Sequence, residues 1–391
     1  ILAFTDYSRR TKTIKHQFSD GINYLSNEPG SQDKSTFKNL VFRNTLQYQI
    51  SPTVSLQPGI DINHEKATGA RIDGTPEIND FAFFVSSEIK PNNTINIRPG
   101  LRFIKNSVYS APPVIPSINS KFTLYNNFDL RVAYAYGFRS PALRELYYNF
   151  VDANHIIVGN PHLKAEHSSS FNGSLSCTLP KTKQGHQNVI TLSSFYNTFN
   201  NLINYATSPT STDTTITVNI DKYKTTGIMI EDKLQSKNFT ASLGFSYIGR
   251  YNQLADAEGF KNENLPHFMW SPELNASMIY EFSKTGASLA LFYKFSGKKP
   301  GYEAVTNTST GAQEIHLTHI DGCHIADFTI NKKLFTYFSV SGGVKNIFNV
   351  TQLTNTSTNP DGVHSTGAAI DMSYGRSFFI GLSFQLNTKH Q

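Results

Sequence analysis

Apolar and polar residues alternate one by one along this chain, over stretches longer than most soluble strands sustain. From Phe239 to Tyr247 the odd positions are Phe239, Ala241, Leu243, Phe245 and Tyr247, and the even ones are Thr240, Ser242, Gly244 and Ser246. Successive side chains of a strand point to opposite faces, so this segment has one apolar and one polar face. The pattern recurs in Phe128, Leu130, Val132, Tyr134 and Tyr136, and in Ala287, Leu289, Leu291, Tyr293 and Phe295. It closes the chain in Phe378, Ile380, Leu382, Phe384 and Leu386. Several of these segments exceed about ten residues, which suits a tilted strand crossing a bilayer better than a soluble strand of about five or six.

The connections alternate as well. Short polar turns are expected at Ser51-Pro52, Pro91-Asn92-Asn93, Asn126-Asn127, 181–184, Ser236-Lys237-Asn238, 283–286 and Lys332-Lys333. Between them lie longer segments rich in Gly, Asn, Ser, Thr and Pro, at 11–36, 65–77, 138–164, 201–215, 253–267, 299–321 and 350–372. Short turns at one end and long loops at the other are the outer-membrane barrel pattern. This reading gives about 16 strands, the first running towards the long loops and the last ending at the short turns. Composition agrees, with 38% apolar residues but 13% aromatics, mostly Phe (29) and Tyr (19). A wall with lipid on one face and a polar lumen on the other keeps overall hydropathy low. No run approaches the roughly 18 apolar residues of a spanning helix, so a membrane location requires a barrel. Trp270, beside Phe268 and Met269 at a loop-to-strand junction, fits an interfacial aromatic girdle. Only 142–150, ALRELYYNF, reads as helical, with Pro141 suited to the first helical position.

The formal charge of +6 is scattered, without the basic stripe of a nucleic-acid binder, so no nucleic-acid partner is expected. Cys177 and Cys323 stand far apart with no zinc spacing, which leaves two incidental thiols. Ile1 to Tyr7 already reads as a strand, with no initiator Met or signal-peptide core before it.

The most specific stretch runs from Tyr136 to Tyr147, YGFRSPALRELY. It resembles the FRAP-box region of TonB-dependent receptors, where an aromatic-Arg-Ala/Ser-Pro run leads into Leu-x-Glu-Leu-Tyr. Gly159 to Glu166, GNPHLKAE, is similar to the family's Asn-Pro-x-Leu box, with Ala165 in place of the usual Pro. Gly343 to Asn349 resembles the motif near the penultimate strand, and Arg376 to Phe384 the closing strand. Phe150 to His155 looks particularly like receptors of the Bacteroidetes group. The resemblance implies an all-β transmembrane antiparallel barrel of about 22 strands closed by an N-terminal plug. Residues 1–391 are then expected to be the C-terminal part of that barrel, with the plug and the first strands outside the sequence. The polar residues after Phe384 depart from the family's usual aromatic end.

Within this frame Arg139 and Glu166 sit at matching ends of one long loop and are expected to brace its base through a charge-assisted bond. Phe138, Pro141, Asn160, Pro161 and Leu163 complete the expected bracing set, the prolines by limiting backbone freedom. His155 lies between the two boxes, where haem receptors of this family place a histidine, and a neutral imidazole can ligate haem iron. Asn154, Tyr147 and Tyr148 are the other candidate ligand contacts, with Tyr251 and Tyr302 offering further amphipathic rings. His316, His319 and His324 do not converge on one face of an extended segment, so no metal site is expected.

No GxSxG, HExxH, GxxxxGK[ST] or GxGxxG run occurs, so neither an enzyme nor a resident cofactor is expected. The function implied is energy-dependent uptake of a scarce bulky ligand, namely ferric siderophore, haem or cobalamin, across the outer membrane. The expected partners are a TonB-type inner-membrane energy complex, outer-membrane lipid, the small bulky ligand and a surface lipoprotein. The rival readings are a passive 16-stranded porin and a soluble all-β binding domain, the latter disfavoured by the aromatic outward faces.

Overall fold

The computed structural model describes residues 1–391 apart from 18, 28–31, 126, 152–155, 209–210, 307–308, 312, 358–368 and 386–391. Among the described residues sixteen strands form its wall. They are β1 (Leu2–Lys12), β2 (Gln32–Thr45), β3 (Val54–Thr68), β4 (Glu77–Asn92), β5 (Ile95–Asn106), β6 (Ile115–Tyr125), β7 (Phe128–Arg139) and β8 (Glu166–Thr178). The second half comprises β9 (Gln187–Ser208), β10 (Ser211–Gln235), β11 (Phe239–Tyr251), β12 (Phe268–Phe282), β13 (Ala287–Ser296), β14 (Cys323–Phe335), β15 (Phe338–Lys345) and β16 (Ser377–Phe384). Each pairs antiparallel with its neighbour in sequence, from β1 with β2 through to β15 with β16. Among the described residues no ladder joins β1 to β16.

Register gives the wall its two faces. Leu192, Ile230, Phe245, Leu274 and Phe295 stand opposite one another across five strands, forming an apolar rung. One residue along each strand, Thr191, Glu231, Gly244, Asn275 and Lys294 form a polar rung on the other side. A slip of one residue would exchange the faces, so the alternation in sequence fixes the pairing. The apolar side is open, with Leu192, Ile230 and Phe245 all more than 40% exposed, as lipid-facing residues of a barrel are. Trp270 lies on this side near the loop end of β12, stacked on Tyr247 at 5.0 Å. Its indole covers Gly249, where even a Cβ would come within 3.1 Å.

Long connections gather at one end and short ones at the other, as expected. Within the long ones lie hairpins Ile14–Gln17 with Ile22–Leu25, Lys299–Thr306 with Gln313–Ile320, and Gln352–Thr354 with Ala369–Asp371. Three expectations need correction. The described residues of segment 201–215 are no loop, because β9 and β10 stay paired from Leu202↔Ile220 up to Ser208↔Ser211, making an arm that rises above the wall. Its β-branched run Thr214 to Val218 favours extended backbone. The ladder skips Asn201, which sits at φ 54, a left-handed conformation that Asn tolerates better than most residues. Lys332 and Lys333 are no turn, since β14 continues to Phe335, and the Lys332 ammonium reaches the Thr285 carbonyl at the rim. The helix is short, Leu143–Tyr147, with Ala142 as its N-cap, so Pro141 precedes the cap and does not occupy the first turn.

Two substitutions on adjacent residues test which face meets lipid. Leu243→Arg, placed in the apolar face, should cost about 2–4 kcal/mol of folding stability near mid-strand. Ser242→Arg, placed in the lumen, should cost less than about 1 kcal/mol. Urea titration of the intact protein refolded into lipid vesicles measures both, and equal costs would refute the assignment.

Candidate functional site

The buried hydrophobic cluster lies at the loop end of the barrel. Ala67 of β3, Ile78 of β4 and Ile72 of the loop between them pack against Leu143, Leu146 and Leu163 of the 140–165 loop. Phe37, Tyr109, Tyr147, Tyr148 and Ile203 border it. The described residues of the 140–165 loop therefore pack at the mouth against β3, β4 and the connection between them. Backbone pairing holds it there. Tyr148 and Ile72 form an antiparallel bridge, the Asp73 N–H donates to the Tyr147 carbonyl at 2.9 Å, and the Asn149 N–H donates to the Arg71 carbonyl at 2.9 Å.

At the loop's base Arg139, the last residue of β7, faces Glu166, the first residue of β8. Its Nε and Nη2 donate to the two Glu166 oxygens at 2.7 and 2.8 Å, a bidentate pair. Its Nη1 donates to both oxygens of Glu145, at 3.2 and 2.9 Å. Glu145 is the third helical residue and also accepts the Ala142 N–H at 2.7 Å, so one carboxylate caps the helix and ties it to the strand. Glu166 accepts the Ile203 N–H of β9 at 2.6 Å. One guanidinium thus joins β7, β8, the helix and the base of the arm. Tyr109, in the 107–114 loop, lies near this group, and its hydroxyl has no hydrogen-bond partner among the described residues. Burial first, then the neighbouring Tyr147 and Glu145, pushes its phenol up to about 12.

The far end of the loop is fastened to the arm. Ile156–Val158 pairs in parallel with Thr214–Ile216 of β10. Asn160 Nδ2 donates to the carbonyl of the buried Thr217 at 3.0 Å, while its Oδ1 accepts the His162 N–H at 2.9 Å. Asn219 accepts the Lys164 N–H at 2.7 Å and donates to the Lys164 and Asn201 carbonyls at 3.0 and 2.8 Å. Gly159 passes under the helix so closely that a Cβ would lie 2.7 Å from the Leu146 carbonyl carbon. Only glycine fits that approach.

The structure brings Arg139, Glu166, Asn160 and Leu163 into one assembly, with Pro141 fully buried beside it. Pro161 is exposed at the turn, and the Phe138 ring lies against His167 at 5.6 Å. Tyr147 and Tyr148 are half-buried on the cluster, and Arg144 lies 5.2 Å over the Tyr148 ring. Asn154 and His155 lie outside the described residues. Tyr251 is buried with its hydroxyl on Asp256, so it offers no open ring. Sequence reasoning missed Glu145, whose place in a Leu-x-Glu-Leu run was its only signal, and it missed Asn201 and Asn219. Those two had no signal, because their partners depend on a bulge and on loop docking.

Comparison with known proteins decides the family. The family profile described as TonB dependent receptor-like, beta-barrel matches residues 3–347. The chain belongs to the TonB-dependent receptor family. This receptor is therefore a β-barrel protein of the Gram-negative outer membrane. Solved structures share its fold. The siderophore receptor PirA from Acinetobacter baumannii is 14% identical with a TM-score of 0.67, over 98% of this chain and 59% of that one. A mutant of the ferric enterobactin receptor PfeA from Pseudomonas aeruginosa, in complex with enterobactin, is 16% identical at 0.67, over 98% and 59%. The outer membrane transporter YddB from Escherichia coli is 15% identical at 0.67, over 90% and 55%. The sequence thus spans under two thirds of the length of these receptors. No curated protein sequence matches it significantly.

Removing the guanidinium should loosen the mouth. In Arg139→Ala, Glu145 and Glu166 lose their shared cation, and opening of 143–165 should become easier by about 1–2 kcal/mol, roughly a tenfold faster amide exchange. Arg139→Lys should recover only part of this, because an ammonium cannot fork between two carboxylates. Hydrogen-exchange mass spectrometry of the intact receptor checks it, and unchanged exchange in both variants would refute the brace. Gly159→Ala should raise exchange across the same segment by pushing the helix off its seat.

Proposed function

We propose that this receptor takes up a ferric siderophore across the outer membrane, using the 140–165 loop as part of its ligand-binding mouth. The observation that carries this reading is the loop itself, folded into the opening and clamped at both ends. A passive porin needs an open aqueous channel, whereas a receptor that delivers a scarce ligand needs a contact surface across its mouth. Solved receptors of the same fold are siderophore receptors by name, which supports iron chelates ahead of haem or cobalamin. The exposed Arg144 over the Tyr148 ring offers a cation and an aromatic face together, suited to an anionic aromatic chelate.

Transport of this kind involves no bond making, so the receptor is not an enzyme in this reading. Ligand engagement biases one conformational state over another, and a TonB-type complex at the inner membrane supplies the energy. A surface lipoprotein belongs to the same proposal as a partner at the loops.

Calorimetric titration of the intact receptor in detergent with ferric enterobactin tests the proposal. Saturable binding is expected, weakened at least tenfold in Arg144→Ala and in Tyr148→Ala. A Soret shift with haem that is lost in His155→Ala, without enterobactin binding, would replace it with haem uptake. Steady ion conductance in planar bilayers with no ligand binding would favour the porin.

A further inference from the structure

The lipid-facing side of the wall holds a concavity of about 580 Å³ between β7 and β12, outside the lumen. Two adjacent rungs define it. Val132, Gly173, Ser194, Ile228 and Tyr247 lie opposite one another in the lower rung. In the rung one step nearer the loops stand Phe171, Tyr196, Thr226, Gly249 and Trp270. Gly173 and Ser194 in the lower rung and Thr226 in the upper one lower the surface, while Phe171, Tyr196, Tyr247 and Trp270 raise it around them. The depression is therefore floored by Gly173, Ser194 and Thr226 and walled by Phe171, Tyr196 and Trp270. The Thr226 hydroxyl donates to the Phe195 carbonyl at 3.0 Å, so it is engaged by the wall.

Position and charge indicate what fills it. The concavity lies near the loop end of β11 and β12, which places it in the outer leaflet. Moving further towards the loops on the same face of β10, the next two outward positions after Thr226 are Lys224 and Lys222. At about 3.4 Å per residue they stand roughly 7 and 14 Å beyond the floor. Lys222 is exposed, and the Lys224 ammonium lies 5.1 Å over the Tyr251 ring. An apolar trough in lipid, followed outward by two ammonium groups, matches an acyl chain followed by a phosphate. We propose that this groove seats one acyl chain of a phosphorylated glycolipid of the outer leaflet, with its phosphate against Lys224 and Lys222. The seat is independent of the ligand mouth and makes the receptor selective for the lipid around it.

Native mass spectrometry of the intact, delipidated receptor with bis-phosphorylated lipid A as probe tests this. A Cβ at Gly173 would meet Ser194 Oγ at an ordinary 3.7 Å, so Gly173→Phe is accommodated by the backbone and fills the trough. The expected result is one tightly retained lipid A on the wild type. Occupancy should fall at least tenfold in Gly173→Phe, and likewise in the double variant Lys222→Gln, Lys224→Gln. Ferric enterobactin titration should be unchanged in both. Unaltered lipid A occupancy in either variant would overturn the proposal. So would equal retention of phosphate-free lipid A, or preferential retention of phosphatidylethanolamine.

Discussion

A polypeptide in hydrocarbon has no water to satisfy its backbone, so every N–H and C=O must find a partner within the protein. Strands that each pair with the next in sequence meet this demand with local contacts and short turns. The sixteen-strand meander from β1 to β16 is that solution, and most other features follow from it. Because pairing fixes register, it also sorts side chains, sending Leu192, Ile230 and Phe245 to lipid and Glu231 and Lys294 to the lumen. Burial of a common core contributes little to the wall itself.

Among the described residues the buried hydrophobic cluster forms where the chain leaves the membrane. At the mouth the loop backbone needs partners again, and it finds them by docking on the wall and on the arm. Apolar contacts of Leu143, Leu146 and Leu163 supply attraction without direction. Direction comes from the Arg139 fork, from the Ile72–Tyr148 bridge and from Asn160 and Asn219, which tie residues 160–164 to the arm. The clamp at the base and the pairing to the arm act on the same segment. The arm and the mouth helix are thereby joined through one continuous set of hydrogen bonds.

How much of this was legible in the sequence depends on whether the controlling contacts are local. Wall strands were legible because alternation is a property of neighbouring residues, and about sixteen were expected where the described residues form sixteen. The ends of strands were less so. Lys332 and Lys333 read as a turn because charge in a sequence window does not reveal that long stems can run along a strand to its rim. The arm read as a loop because Ser, Thr and Asn are turn residues in isolation, yet two such segments can pair with each other above the membrane. Arg139 and Glu166 were legible as opposite ends of one loop. Glu145 as the third member, Gly159 beneath the helix and Asn219 on the arm were not. Their roles exist only once a loop has folded back on a distant strand.

The docked mouth loop is the central claim, and a cross-link tests it most directly. Ile72 and Tyr148 are partners in an antiparallel bridge, at a separation a disulfide can span. The double variant Ile72→Cys, Tyr148→Cys of the intact receptor would be oxidised in the native outer membrane, and the fraction cross-linked read after proteolysis by mass spectrometry. Near-complete cross-linking without denaturation is expected, and it should drop when Arg139→Ala is added. A pair that stays reduced in folded, membrane-inserted receptor would mean that the loop does not rest in the mouth.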